Sequence, residues 1–216
     1  MKNLTQILLF SWLSFILFPL VSNAEEVAPK PKQKPVIALQ SLGNCSAKDI
    51  EQAKQGILTL YDCEVKIAPV VALPQKAYYE PRARYRADKL LDFLEHDVKL
   101  GFECVKIVGL TTKDISFTKG EVFDWGIFGL GSLDGKTCVI STFRLGAGKA
   151  DATMQMQRLI KVINHEIGHT FGLEHCPVKG CLMQDAQGLI KTVDEEQGAF
   201  CDDCHQRIAH VLHVKK

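Results

Sequence analysis

The stretch His165–Gln184, HEIGHTFGLEHCPVKGCLMQ, leaves the fold less freedom than any other part of the chain. It holds three histidines, two cysteines and three glycines in twenty residues. A solvated loop has no need of so many metal-ligand side chains, and an uninterrupted helix does not carry two glycines four residues apart. From Ala152 to Phe171 there is no proline. Met154, Met156, Leu159, Ile160, Val162, Ile163 and Ile167 are spaced there as in a long, mostly buried helix. Four residues turn an α-helix by about 400° and advance it about 6 Å, so His165 and His169 share one face. Their imidazoles can converge on one Zn²⁺, and Glu166 can reach a water on that metal. Taken alone, His-Glu-x-x-His also suits two ordinary histidines on a helix face.

His175 sharpens the choice. On a continued helix it would sit about 240° around and about 9 Å beyond His169, unable to reach the same ion. Gly172 removes that obstacle, because glycine accepts the left-handed conformation that ends helices. The chain can then double back and offer a third nitrogen, leaving one tetrahedral vertex for water, as in catalytic zinc sites. Gly168, inside the helix, makes room for a closely packed neighbour. HEIGHTFGLEH resembles the metzincin signature H-E-x-x-H-x-x-G-x-x-H. The resemblance implies that His165, His169 and His175 are zinc ligands and Glu166 the general base. It further implies that Met183 lies beneath the ligands as apolar support, physically close to a gap-filling core methionine.

The segment continues with Cys176, Cys181 and Met183, then Cys201 and Cys204. This extended pattern resembles the archaemetzincins and implies a second, structural zinc held by the four cysteines. Four thiolates in two short-spaced pairs make a closed tetrahedral site. Adjacent residues of an extended chain point to opposite sides, so His175 and Cys176 can serve different metals. The rival reading is a pair of disulfides, Cys176 with Cys181 and Cys201 with Cys204. Cys45, Cys63, Cys104 and Cys138 fall outside the pattern, and at least one bridge is expected among them. The implied fold is α+β: a single metzincin-like domain with a mixed twisted sheet, a long active-site helix and a zinc-held C-terminal segment.

The rest of the chain fits one such domain. Residues 1–24 run from Lys2 through an apolar stretch to Ser22-Asn23-Ala24, the layout of a signal peptide. An uncleaved anchor is the alternative. Residues 25–35, rich in proline and lysine, read as a tether, leaving 36–216 as the domain. Export to the periplasm or outside follows, with no stable membrane association once the leader is cut. Strands are expected over 36–40, 63–71 and 104–112, helices from Ser46 to about Tyr61 and over 87–98. Two strands joined at Asp134-Gly135 are expected over 126–145, and irregular chain over 73–84. The resemblance makes GIFGLG (126–131) the edge strand beside which an extended peptide lies. A net charge of +1 gives no field for nucleic acid. The reading is therefore a zinc-dependent hydrolase of peptides or proteins with two zincs. A non-catalytic zinc module and a thiol-based metal or redox handler are the alternatives. His205, His210 and His213 read as a solvated helix face, and oligomeric state does not follow.

Overall fold

The computed structural model describes residues 33–209. The leader, most of the tether, His210 and His213 lie outside the described residues. Among those described, no helix is long and apolar enough to cross a membrane.

The core is a five-stranded mixed sheet ordered β2-β1-β5-β9-β8. It comprises β1 (Val36–Leu42), β2 (Glu64–Val71), β5 (Lys106–Thr111), β8 (Gly129–Gly131) and β9 (Thr137–Ser141). The first four in spatial order run parallel, and β8 closes the edge antiparallel to β9. Alternate side chains of a strand face opposite layers. Ile37 and Leu39 join a core with Val108, Leu110 and Ile140 beneath α1 (Ala47–Leu60) and α3 (Ala152–Thr170). Ala38, Leu42, Ile107 and Val139 face Leu90 and Leu94 of α2 (Ala87–His96) on the other side. Both long helices start on side-chain caps: Ser46 accepts from the Asp49 amide and Asp151 from the Met154 amide. Helix α1 packs on α3 through Asn164, whose side-chain amide donates to the Gly56 carbonyl at 3.0 Å.

The sequence left 73–84 irregular, whereas it supplies β3 (Tyr78–Tyr79) and the start of β4 (Arg84–Arg86). With β6 (Ile115–Lys119) and β7 (Val122–Ile127) they form a second sheet, β3-β4-β6-β7. Partly buried charge pairs hold it. Arg144 clasps Asp114 with bonds of 2.6 and 2.9 Å, and Arg84 donates to Asp124 at 3.0 Å. The hairpin expected over 126–145 is correspondingly shorter: Gly126 and Ile127 belong to β7, and only Gly129–Gly131 pairs with β9. The C-terminal segment carries α4 (Ile190–Glu195) and α5 (Asp202–Ala209). Arg158 on α3 anchors it, binding Asp194 through two 2.7 Å bonds.

The bridge expected among the four scattered cysteines is not formed, since Cys45, Cys104 and Cys138 are free thiols. Cys138 is buried on β9 within the apolar core. It acts there as a small hydrophobic residue.

Candidate metal centres and cleft

Helix α3 ends where the glycine was expected to end it. Gly172 has φ +83°, its amide donates to the His169 carbonyl at 2.9 Å, and the Leu173 amide donates to the Gly168 carbonyl at 3.1 Å. This is a Schellman closure, with Leu173 buried beneath it. Two further donors reach carbonyls of the last turn. The Asp134 amide reaches the His169 carbonyl at 3.0 Å, and Lys106 Nζ reaches the Thr170 carbonyl at 2.6 Å. Lys106 also donates to the Gly135 carbonyl at 2.7 Å and lies over the Phe171 ring. The end of α3 is thereby tied to the β8–β9 turn, a role that sequence reading gave to neither Lys106 nor Asp134.

The reversal brings His165, His169 and His175 together, with one ring nitrogen of each within 4.8 Å of the others. Backbone carbonyls fix two of the rings. His165 Nδ1 is 2.6 Å from the Leu182 carbonyl and His169 Nδ1 is 2.7 Å from the Leu173 carbonyl. A carbonyl only accepts, so each Nδ1 carries the proton and each Nε2 presents a lone pair. The two Nε2 atoms stand 3.0 Å apart. Two lone pairs at that separation repel unless a cation lies between them, so the donor set fits a metal ion. Burial holds both imidazoles neutral, His165 down to about 3. His175, half-exposed, completes the group from the open side, with Asp185 Oδ2 3.9 Å from its Nδ1.

Met183 lies under this group, fully buried. It follows Leu182 in a tight turn closed by the Gln184 amide on the Cys181 carbonyl at 3.0 Å. A Cβ added at Gly168 would stand 2.5 Å from Met183 Sδ. The glycine inside the helix is thus the seat of the methionine. We expect Gly168→Ala to overpack this contact at a cost of about 1–3 kcal/mol. Thermal unfolding and zinc affinity check this: both fall, with the melting temperature lower by roughly 2–4 °C per kcal/mol.

Glu166 faces the cleft from α3 and is 7 % exposed. Burial pushes its carboxyl up to about 8, partly offset by the Gly131 backbone amide. The glycines of the edge strand have a function that the sequence reading did not assign. A Cβ at Gly129 would lie 2.7 Å from Glu166 Oε1, and one at Gly131 2.5 Å from the Glu166 carbonyl oxygen. They let α3 and its carboxylate approach β8, besides leaving the strand's outer edge open. The cleft between them has a volume of about 800 Å³. Its far wall is the β6–β7 hairpin, which meets the 185–188 segment through Lys119–Asp185 at 3.6 Å and Trp125 against Gly188. Trp125 and Asp185 carried no sequence signal, because their roles depend on this non-local meeting.

Behind the turn, Cys176, Cys181, Cys201 and Cys204 bring their sulfurs within 4.8 Å of one another. Cys176 Sγ and Cys201 Sγ are 3.8 Å apart. Bonds of about 2.3 Å to a tetrahedral zinc put ligand sulfurs about 3.8 Å apart, whereas a disulfide needs about 2.05 Å. The Met183 and Cys201 amides both approach Cys181 Sγ at 3.4 Å, as donors to a thiolate. All four are free thiols, so neither Cys176–Cys181 nor Cys201–Cys204 is bridged, and the arrangement fits a tetrathiolate metal site. His205 departs from the solvated face expected of it: its Nε2 is buried without a hydrogen bond among the described residues.

Comparison with known proteins agrees with the site. Residues 45–210 match the model of peptidase family M54. An archaemetzincin of Methanopyrus kandleri is 36% identical over 150 residues, 69% of this chain and 80% of that protein. One of Haloarcula marismortui is 31% identical over 174 residues, 77% of this chain and 95% of the relative. The crystal structure of the Archaeoglobus fulgidus archaemetzincin complexed with malonate superposes with a TM-score of 0.68 at 30% identity, covering 80% of this chain and 99% of that one. The M. kandleri structure gives 0.70 at 29%, covering 85% and 98%.

Proposed function

The chain belongs to peptidase family M54, the archaemetzincins, and is a zinc metallopeptidase acting on peptides or proteins; from that premise we propose that Glu166 is its general base. We further assign His165, His169 and His175 as the catalytic zinc ligands, and Cys176, Cys181, Cys201 and Cys204 as those of a structural zinc. One observation carries the reading: a buried carboxyl opens onto the cleft beside imidazoles whose protons are already committed to backbone carbonyls. A zinc held there would polarise the scissile carbonyl and acidify the attacking water. Glu166 takes the proton of that water and hands it to the departing amine. Its raised basicity suits this task, since a solvated carboxylate is a weaker base. The exposed edge of β8 offers backbone groups to an extended peptide, as an edge strand does. Met183 and the two carbonyls hold the imidazoles in place through the cycle. The leader layout of residues 1–24 supports action after export.

Metal counting tests the two-site assignment. The purified protein should hold two zincs per chain by elemental analysis and four titratable thiols fewer than its denatured, chelated form. Chelation should abolish cleavage of a peptide library read by mass spectrometry, and added zinc should restore it. A single zinc whose missing thiols return only on reduction would replace the second site with disulfides.

A further inference from the structure

The cleft holds a carboxyl group for which the hydrolytic chemistry has no use. Glu196, just after α4, is 8 % exposed and lines the cleft with Phe128, Val162 and Val193. Among the described residues its carboxyl has neither a hydrogen bond nor an ion pair. Lys161, the cation that acts on it, has all three N–H groups committed elsewhere. They go to the carbonyls of Val193 at 2.8 Å, Asp194 at 3.1 Å and Glu196 itself at 2.6 Å. None remains for the carboxylate. Burial raises this carboxyl to about 8, with Lys161 drawing it partly back. A carboxyl held largely out of water without a partner costs stability, and its remaining access is toward the cleft. Its place on a cleft wall makes it a receptor for charge from outside the protein.

Position and sign narrow the ligand. Glu196 lines the same cleft as His165, Glu166, His169 and His175, so a substrate held at the histidines passes this wall. Lysine and arginine are the side chains of a peptide that carry a cation on a long, flexible stem able to reach such a wall. The lining also includes Glu166, Glu174 and Asp185, against one lysine, Lys119, which is paired with Asp185.

We propose that Glu196 determines specificity, receiving the ammonium or guanidinium of a lysine or arginine side chain next to the scissile bond. This rests on the peptidase reading above. A peptide that places its cation there gains a charge-assisted hydrogen bond within a shielded recess. A peptide with an apolar side chain leaves the carboxyl unpaired.

The test uses the zinc-loaded full chain and matched peptides carrying Lys, Arg, norleucine or Glu at the position in question, each with a free or an acetylated N-terminus. Lys and Arg peptides should be cleaved about 10–100-fold better in kcat/KM than the norleucine peptide. Acetylation should leave that ratio unchanged. Glu196→Gln, nearly isosteric, should abolish the preference while keeping the zinc content and the rate on norleucine. Glu196→Lys should move the preference to the Glu peptide. Equal cleavage of Lys and norleucine peptides overturns the proposal while leaving the peptidase reading standing. So does a preference that follows the α-amine. If no peptide is cleaved, both readings fall.

Discussion

Replacing Glu166 with Gln should leave the zinc content unchanged and lower kcat/KM on peptides by about 10²–10⁴-fold, the usual contribution of a positioned base. The substitution keeps the side chain's shape, which matters because a Cβ at Gly129 would stand only 2.6 Å from Glu166 Cγ. A smaller residue would leave a void against β8 and confuse lost chemistry with lost packing. Gln also removes a carboxyl that burial has pushed up to about 8, so stability should hold or rise slightly. The loss should fall on kcat and leave KM nearly unchanged, because the proton moves only in the transition state. Zinc content, thermal unfolding and steady-state rates on one peptide separate the cases. Unchanged turnover in Glu166→Gln removes this residue from the chemistry. A wild-type chain that holds zinc and cleaves nothing makes the fold a binding module.

Parts of this centre were legible because their constraints are local. The one-turn spacing of His165 and His169 and the reversal at Gly172 both follow from backbone geometry within ten residues. Ser46 and its helix were legible for the same reason. The second sheet was not. Its strands are short, 73–84 was expected to be irregular, and the Arg–Asp pairs that hold the sheet together join residues distant in sequence. The glycines of β8 gave a signal whose meaning stayed open, since only the packed structure shows Glu166 against them. Lys106, Asp134 and Lys161 were given no role by the sequence. They satisfy carbonyls near the ends of α3 and α4, partners between 32 and 64 residues distant for the two lysines. The cysteine cluster shows both situations at once. Its spacing was informative, while the choice between thiolates and disulfides needed the folded positions of all four sulfurs, none of them bridged.

Cys204→Ser should be the most destabilising single change in the chain and should also weaken the site in front of it. Cys204 is buried on α5 and closes the sulfur cluster. Structural zinc binding is worth on the order of 10 kcal/mol in small domains, comparable with the whole stability of a domain. Losing even half of that lowers the melting temperature of a chain this size by about 10–20 °C. The effect reaches the histidines through the turn that both centres share. Cys181 opens the turn, Leu182 supplies the carbonyl that orients His165, and Met183 fills the seat at Gly168. Cys176 in turn pins the chain beside His175 through its amide on the Met183 carbonyl at 2.8 Å. Elemental analysis should therefore find one zinc lost outright and the other bound more weakly, with peptide cleavage falling in parallel. Mild reductant should leave the wild type unaffected, and a chelator should reproduce the variant's lowered melting temperature. The opposite pattern, collapse on reduction and indifference to chelation, would mean that covalent bridges, not a metal, brace this end of the fold.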